Sequence, residues 1–150
     1  MKKQIKKQHS GRSMIEMVGV LAVMGLITAG AFVLISSASA SSKRNRATDD
    51  IMEIAAGVRS VYVEHNDFSG GIDKDILNAI NKSNKGPYSD SVYAVAVNAN
   101  STTKFDVTLS NVPAKDCNGL KIRGFKDATT TCSVAADSTK LGTLTVTFDK

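Results

Sequence analysis

One carboxylate, Glu16, stands inside a run from Met14 to Ile35 that carries no other charge. The chemistry open to such a residue is ion pairing. A charge at the centre of a bilayer costs on the order of 2.5 kcal/mol or more, less near the interface, and is usually kept for a function. Placed at the headgroup level, Glu16 would cost little and do little. Placed in the apolar phase, it demands a cation. If the chain were cut after Gly11, the new amine on Arg12, four positions from Glu16, would be that cation.

The remaining reactive side chains point away from catalysis. Cys117 and Cys132 fall in the polar carboxyl-terminal part. If that part is exported, a disulfide is the natural assignment, with a pair of buried free thiols as the alternative. His9 would leave with a leader cut after Gly11 and His65 stands alone at a helix end, so no two-histidine metal site is expected in the mature chain. No glycine-rich phosphate loop occurs, and the many serines lack a histidine partner set. Asp73 and Asp75 could contribute to a calcium site, but favourable charge at a helix start accounts for them more simply. The chain is expected to be no enzyme and to hold no cofactor or metal.

The elements that must position Glu16 and the cysteines follow from patterning. The 150 residues suffice for one domain with a modest core, since only 5% are aromatic and Trp is absent. A net charge of +5 suggests nucleic-acid binding until the charge is located. Lys2, Lys3, Lys6 and Lys7 lie in the first eleven residues, which contain no acid. Setting those four aside leaves 15 of the 19 basic residues against 14 acids, an excess of +1 and a poor nucleic-acid ligand. The run of about 22 residues from Met14 exceeds the roughly 18 to 20 a bilayer-spanning helix needs. Its basic amino-terminal flank predicts a cytoplasmic amino terminus and an exported remainder.

Beyond Ser42 the helical period continues. Ile51, Ile54, Ala55, Val58, Val61 and Tyr62 form one apolar stripe, no proline precedes Pro87, and the first clear stop is Gly70-Gly71. One helix of about fifty residues is expected, its exported half covering 36–66. A short second helix is expected over Ile72 to Lys82. The period then changes to two at Tyr93/Val95/Val97, Phe105/Val107/Leu109 and Leu144/Val146/Phe148. Those are antiparallel strands, with a hairpin loop over Asn98 to Thr103 and a helical turn opened by Pro113 toward Cys117. The fold class is α+β, a long helix on a small antiparallel sheet. Lys43, Arg44 and Arg46, followed by Asp49, Asp50 and Glu53, read as a solvated face with pairs such as Arg46 with Asp49 or Asp50. Contact with lipid phosphates and ion pairs between subunits are the functional alternatives.

The stretch Gly11-Arg12-Ser13-Met14-Ile15-Glu16-Met17-Val18-Gly19-Val20-Leu21-Ala22-Val23-Met24-Gly25-Leu26-Ile27 resembles the class III signal and first helix of type IV pilins and type II secretion pseudopilins. The resemblance covers roughly the first fifty residues. It implies a leader over 1–11, cleavage after Gly11 by prepilin peptidase, N-methylation of Arg12, a transmembrane and assembly helix over 12–35 and an exported pilin domain over 36–150. It also implies that Glu16, the family's fifth mature position, directs assembly. Before assembly the subunit would sit in the inner membrane as a single-pass protein with a cytoplasmic amino terminus. It would then join an extracellular homo-oligomeric filament serving adhesion, motility or DNA uptake, with pilus or secretion assembly machinery as partner. A Cys117–Cys132 bond is placed like the carboxyl-terminal disulfide of pilins, which pseudopilins more often lack. The eleven-residue leader and the non-Phe first position look closer to type IVb. Two departures stand out: the first mature residue is Arg12, where the family usually has Phe or Met, and the helix carries Gly19, Gly25 and Gly30 in place of a kinking proline. A guanidinium at a filament axis needs a partner of its own.

A type II secretion pseudopilin is the nearest alternative. A conventionally secreted protein cleaved after Ala40 is a weaker one, because the apolar run is longer than the 7 to 15 residues of a signal-peptide core and contains Glu16.

Overall fold

Helix α1 spans Arg12–Val61, fifty residues without a break, in a computed structural model that describes residues 12–135 and 140–150. The chain divides into two units, one ending at Ser39 and the other comprising Ala40–Lys150. The first unit is the amino-terminal part of α1. The second is α+β: α1 from Ala40 onward packs on a four-stranded antiparallel sheet through a shared apolar core.

Sequence periodicity places that core. Ala47, Ile51, Ile54, Ala55 and Val58 recur at helical spacing and are buried, whereas Val61, at 48% exposed, has left the stripe. Opposite them lie the inward residues of β2 (Ser101–Pro113) and β4 (Leu141–Asp149), which face one another as Phe105↔Phe148, Val107↔Val146 and Leu109↔Leu144. All six are buried. Strand order is β1-β2-β4-β3, with β1 (Tyr93–Asn98) and β3 (Ala128–Val134) at the edges. Phe68, Phe105, Phe148 and Phe125 form a chain of ring contacts at centroid distances of 5.5, 5.6 and 6.5 Å. Arg59 lies over one of these rings, with its guanidinium 5.6 Å from the Phe148 centroid and two N–H groups donating to the Asp149 carbonyl at 3.0 and 2.7 Å.

Four boundaries differ from those read in the sequence. Helix α1 stops at Val61, short of residue 66, because Phe68 must reach the core. The Phe68 N–H donates to the Thr102 carbonyl at 2.7 Å, and Tyr62 turns out to accept the Asp73 N–H on its hydroxyl at 2.9 Å. The second helix, α2, is only Ile76–Ala79. An Asx turn in which Asp73 Oδ1 accepts the Asp75 N–H delays its start, and Asn81, at φ 54°, ends it while the Lys82 N–H returns to the Leu77 carbonyl at 2.7 Å. The loop expected over Asn98 to Thr103 is the two-residue connection between Asn98 and Ser101, held by Asn98 Oδ1 accepting the Asn100 N–H. Helix α3 is Ala114–Arg123, with Pro113 in the capping position just outside it.

Strand β3 has no counterpart in the sequence reading. Its residues Ala-Thr-Thr-Thr-Cys-Ser-Val alternate only between half-buried and exposed, so no apolar period marks it. What holds it is pairing with β4 along its whole length and the bond from Cys132 to Cys117.

Candidate assembly surface

Every described side chain from Met14 to Ile35 is exposed, including thirteen large apolar ones. Soluble monomers rarely present contiguous apolar surface on this scale, so the segment requires an apolar environment or a partner. The helix is long and apolar enough to cross a membrane. Its one hydroxyl-bearing residue in this run, Thr28, donates to the Met24 carbonyl at 2.7 Å and so leaves no unsatisfied donor facing outward.

Glu16 shares one face of α1 with Gly19, Val20, Val23, Met24 and Ile27, which together line a shallow open groove. That spacing of three, four, seven, eight and eleven is a single helical stripe. A Cβ at Gly19 would meet nothing within 4 Å, so the glycine leaves a notch one turn from the carboxylate where another helix can approach closely. Of the other residues singled out in the sequence, Gly11 lies outside the described residues. Arg12 opens the helix, and its side chain lies outside them too.

In the second unit a set of long-range polar contacts fixes how α1 meets the rest. Arg44 Nε donates to Asp116 Oδ1 on α3 at 2.8 Å, and Arg123 at the other end of α3 donates to Asn45 at 2.7 Å. Lys82 Nζ bridges Asp50 at 2.8 Å and Glu53 at 2.5 Å, and the Tyr93 hydroxyl donates to Asp50 at 3.1 Å. The local pair expected between Arg46 and Asp50 survives only at 4.0 Å, because Asp50 turns to Lys82 and Tyr93. Cys117, buried on α3, is bonded to Cys132 on edge strand β3 with Cα atoms 5.9 Å apart, an ordinary span for such a bridge. Among the described residues no group of three His, Cys, Asp or Glu side chains converges for a metal. His65 instead packs edge-on against Tyr62 at 5.4 Å.

These contacts shape the response to alkali. Burial, reinforced by the Asp116 carboxylate and opposed by Arg44, pushes the Tyr88 hydroxyl up to about 12. Burial and then Asp50 raise Tyr93 as well. For Lys82 burial alone would lower the value, but Asp50 and Glu53 outweigh it and leave it raised. All three groups keep in the fold a proton they would lose when unfolded. Their stabilising effect is complete below about pH 10 and falls away as pH rises past it. Tyr88 has a further feature: its buried hydroxyl has no hydrogen-bond partner among the described residues. Tyr88→Phe is therefore expected to stabilise the full-length protein by about 1 kcal/mol at pH 7 and by more at pH 11. Denaturant unfolding in detergent at both values checks it, and a loss of stability at pH 7 would refute it.

The chain is 27% identical over 126 residues to the major structural subunit of the bundle-forming pilus of Escherichia coli O127:H6 (strain E2348/69 / EPEC), and equally to that of Escherichia coli O111:H-. The match covers 77% of this chain and 65% of each relative, so the chain spans just under two thirds of their length. The similarity to these pilus subunits supports the type IV pilin resemblance. No family model and no solved structure matches it. As in the sequence reading, the chain places a long helix on an antiparallel sheet and ties its carboxyl-terminal region with one disulfide. Sequence reasoning missed Asp116 and Lys82 as anchors of α1. Their partners lie 72 residues from Asp116 and 29 or more from Lys82, and no local spacing advertises them.

Proposed function

We propose that this protein is a type IV pilin, a structural subunit of a type IV pilus. Residues 1–11 act as the leader, residues 12–35 hold the subunit in the inner membrane, and residues 36–150 form the exported domain. Prepilin peptidase cuts between Gly11 and Arg12, and the new amino terminus is N-methylated. The subunit then leaves the bilayer and packs through α1 into an extracellular filament. Glu16 pairs there with the amine of a neighbour.

The observation that carries this reading is the fully exposed apolar run with a single carboxylate near one end. Lipid satisfies the apolar surface but not Glu16, whereas a bundle of identical helices satisfies both. The pilus relatives support the same role, and the near-neutral charge after residue 11 suits close packing of copies. Amino-terminal sequencing and intact mass of the mature protein test it. Methylated Arg12 is the expected terminus. Ser41 would indicate conventional secretion, intact Met1 a permanent anchor, and either overturns the processing scheme.

A further inference from the structure

Charge in the exported domain is strongly polarised. Residues 43–46 and 115–126 hold seven Lys and Arg against a single acid, Asp116, and Arg44 already occupies that acid. Of the 15 basic and 14 acidic residues in 12–150, the remainder therefore holds 8 against 13, Asp127 beginning it. The two cationic segments are neighbours in space, because Arg44 and Asn45 are the residues of α1 that touch Asp116 and Arg123 of α3. At the end of α3, between exposed Lys121 and Arg123, stands Ile122. At 86% exposure it is the most exposed large apolar side chain described, beyond any in the apolar run itself. A lone exposed isoleucine on a soluble surface is unremarkable. Here it stands in a cationic rim whose first member, Lys43, follows Ile35, the end of the apolar run, by only eight residues in the sequence.

We infer that this rim is a headgroup-binding collar: while residues 14–35 occupy the bilayer, Lys43, Arg46, Lys121, Arg123 and Lys126 lie against anionic phospholipid phosphates and Ile122 enters the interface. The inference rests on the membrane stage of the proposed function. Cations flanking a span attract an anionic surface within a Debye length, and an apolar side chain among them adds the contact that a purely electrostatic patch lacks. The collar gives the waiting subunit a fixed seat that has to be released for assembly.

The absence of Trp makes the test direct. The full-length Ile122→Trp protein carries a single indole, and a Val63→Trp protein serves as the comparison, since Val63 is 72% exposed and outside the rim. Each is reconstituted into vesicles of phosphatidylcholine alone or with phosphatidylglycerol, insertion being read by flotation. With phosphatidylglycerol, the indole at position 122 is expected to shift to the blue and to be quenched by brominated lipid at least about twofold more strongly than in phosphatidylcholine. The difference should vanish at about 0.5 M salt and in a Lys121→Glu/Lys126→Glu background, while the indole at position 63 stays unquenched. Flotation with equal quenching in both lipids overturns the collar and leaves the membrane anchor standing. Failure to float overturns both. Loss of filaments in the charge-reversed background, with the indole at 122 unquenched throughout, would make the rim a surface between copies and also overturn the lipid contact.

Discussion

Glu16→Ala is expected to leave the protein in the membrane fraction at normal abundance while removing filaments from the cell surface. The residue lies on the exposed part of α1, in the unit that ends at Ser39, and is no member of the apolar core of the other unit. Its removal takes away a carboxylate that costs energy in lipid, so insertion becomes easier if anything. Assembly is affected in the opposite sense. In the proposed filament each Glu16 meets the amine of a neighbouring Arg12 in an environment depleted of water, and removing one partner of a buried pair costs about 3 to 5 kcal/mol. That penalty recurs at every subunit added, and at about 1.4 kcal/mol per tenfold it lowers each addition constant at least a hundredfold. Glu16→Gln should fail nearly as completely, since it keeps the shape and loses the charge. Shearing, electron microscopy and quantification of membrane-bound subunit read the outcome. Filaments in normal yield from Glu16→Ala would mean that the apolar stripe of Val20, Val23 and Ile27 suffices for assembly.

Much of this fold could be read before any coordinates, and the reasons are local. The length of α1 follows from an unbroken apolar run, a continuing 3.6-residue stripe and the lack of proline. The strands β1, β2 and β4 follow from strict alternation at Tyr93, Phe105 and Leu144. Glu16 was conspicuous as the one charge in an apolar run. The features that escaped depend on distant residues. Nothing near Val61 stops a helix there; Phe68, drawn to Thr102 and the ring stack, does so from seven residues on. Strand β3 carries polar residues on both faces, so the edge is defined by its partner β4 and by a covalent bond. The nearness of residues 43–46 to α3 escaped for the same reason: Arg44 could not be assigned to Asp116 from spacing, so 43–46 read as a solvated face and the cations of 115–126 were not singled out.

Loss of the disulfide is expected to cost the unit Ala40–Lys150 about 3 kcal/mol, the chain-entropy value for a loop of roughly fifteen residues. For a unit of this size that is a fall of roughly 15 °C in melting temperature. Damage should begin at β3 and spare α3. Helix α3 keeps its buried Leu120, the Arg44–Asp116 pair and the Arg123–Asn45 bond when the bridge is gone. Strand β3 keeps its ladder to β4, the Thr131 hydroxyl donating to the Thr145 carbonyl, and the half-buried faces of Ala128 and Thr130, and among the described residues no strand lies on its other side. Gly142 on β4 lies at a close approach to β3 and the bridge, where an added Cβ would come within 2.9 Å of the Ser133 carbonyl and 3.3 Å of Cys117 Sγ. A Cys117→Ser/Cys132→Ser protein, compared with wild type in denaturant with and without reductant, should match the reduced wild type in stability. Hydrogen exchange should show residues 128–134 losing protection first while 105–109 and 144–148 retain it. Equal stability of oxidised and reduced protein would show that ladder pairing alone secures the edge, and uniform loss of protection would show that α3 and β3 unfold together with the core.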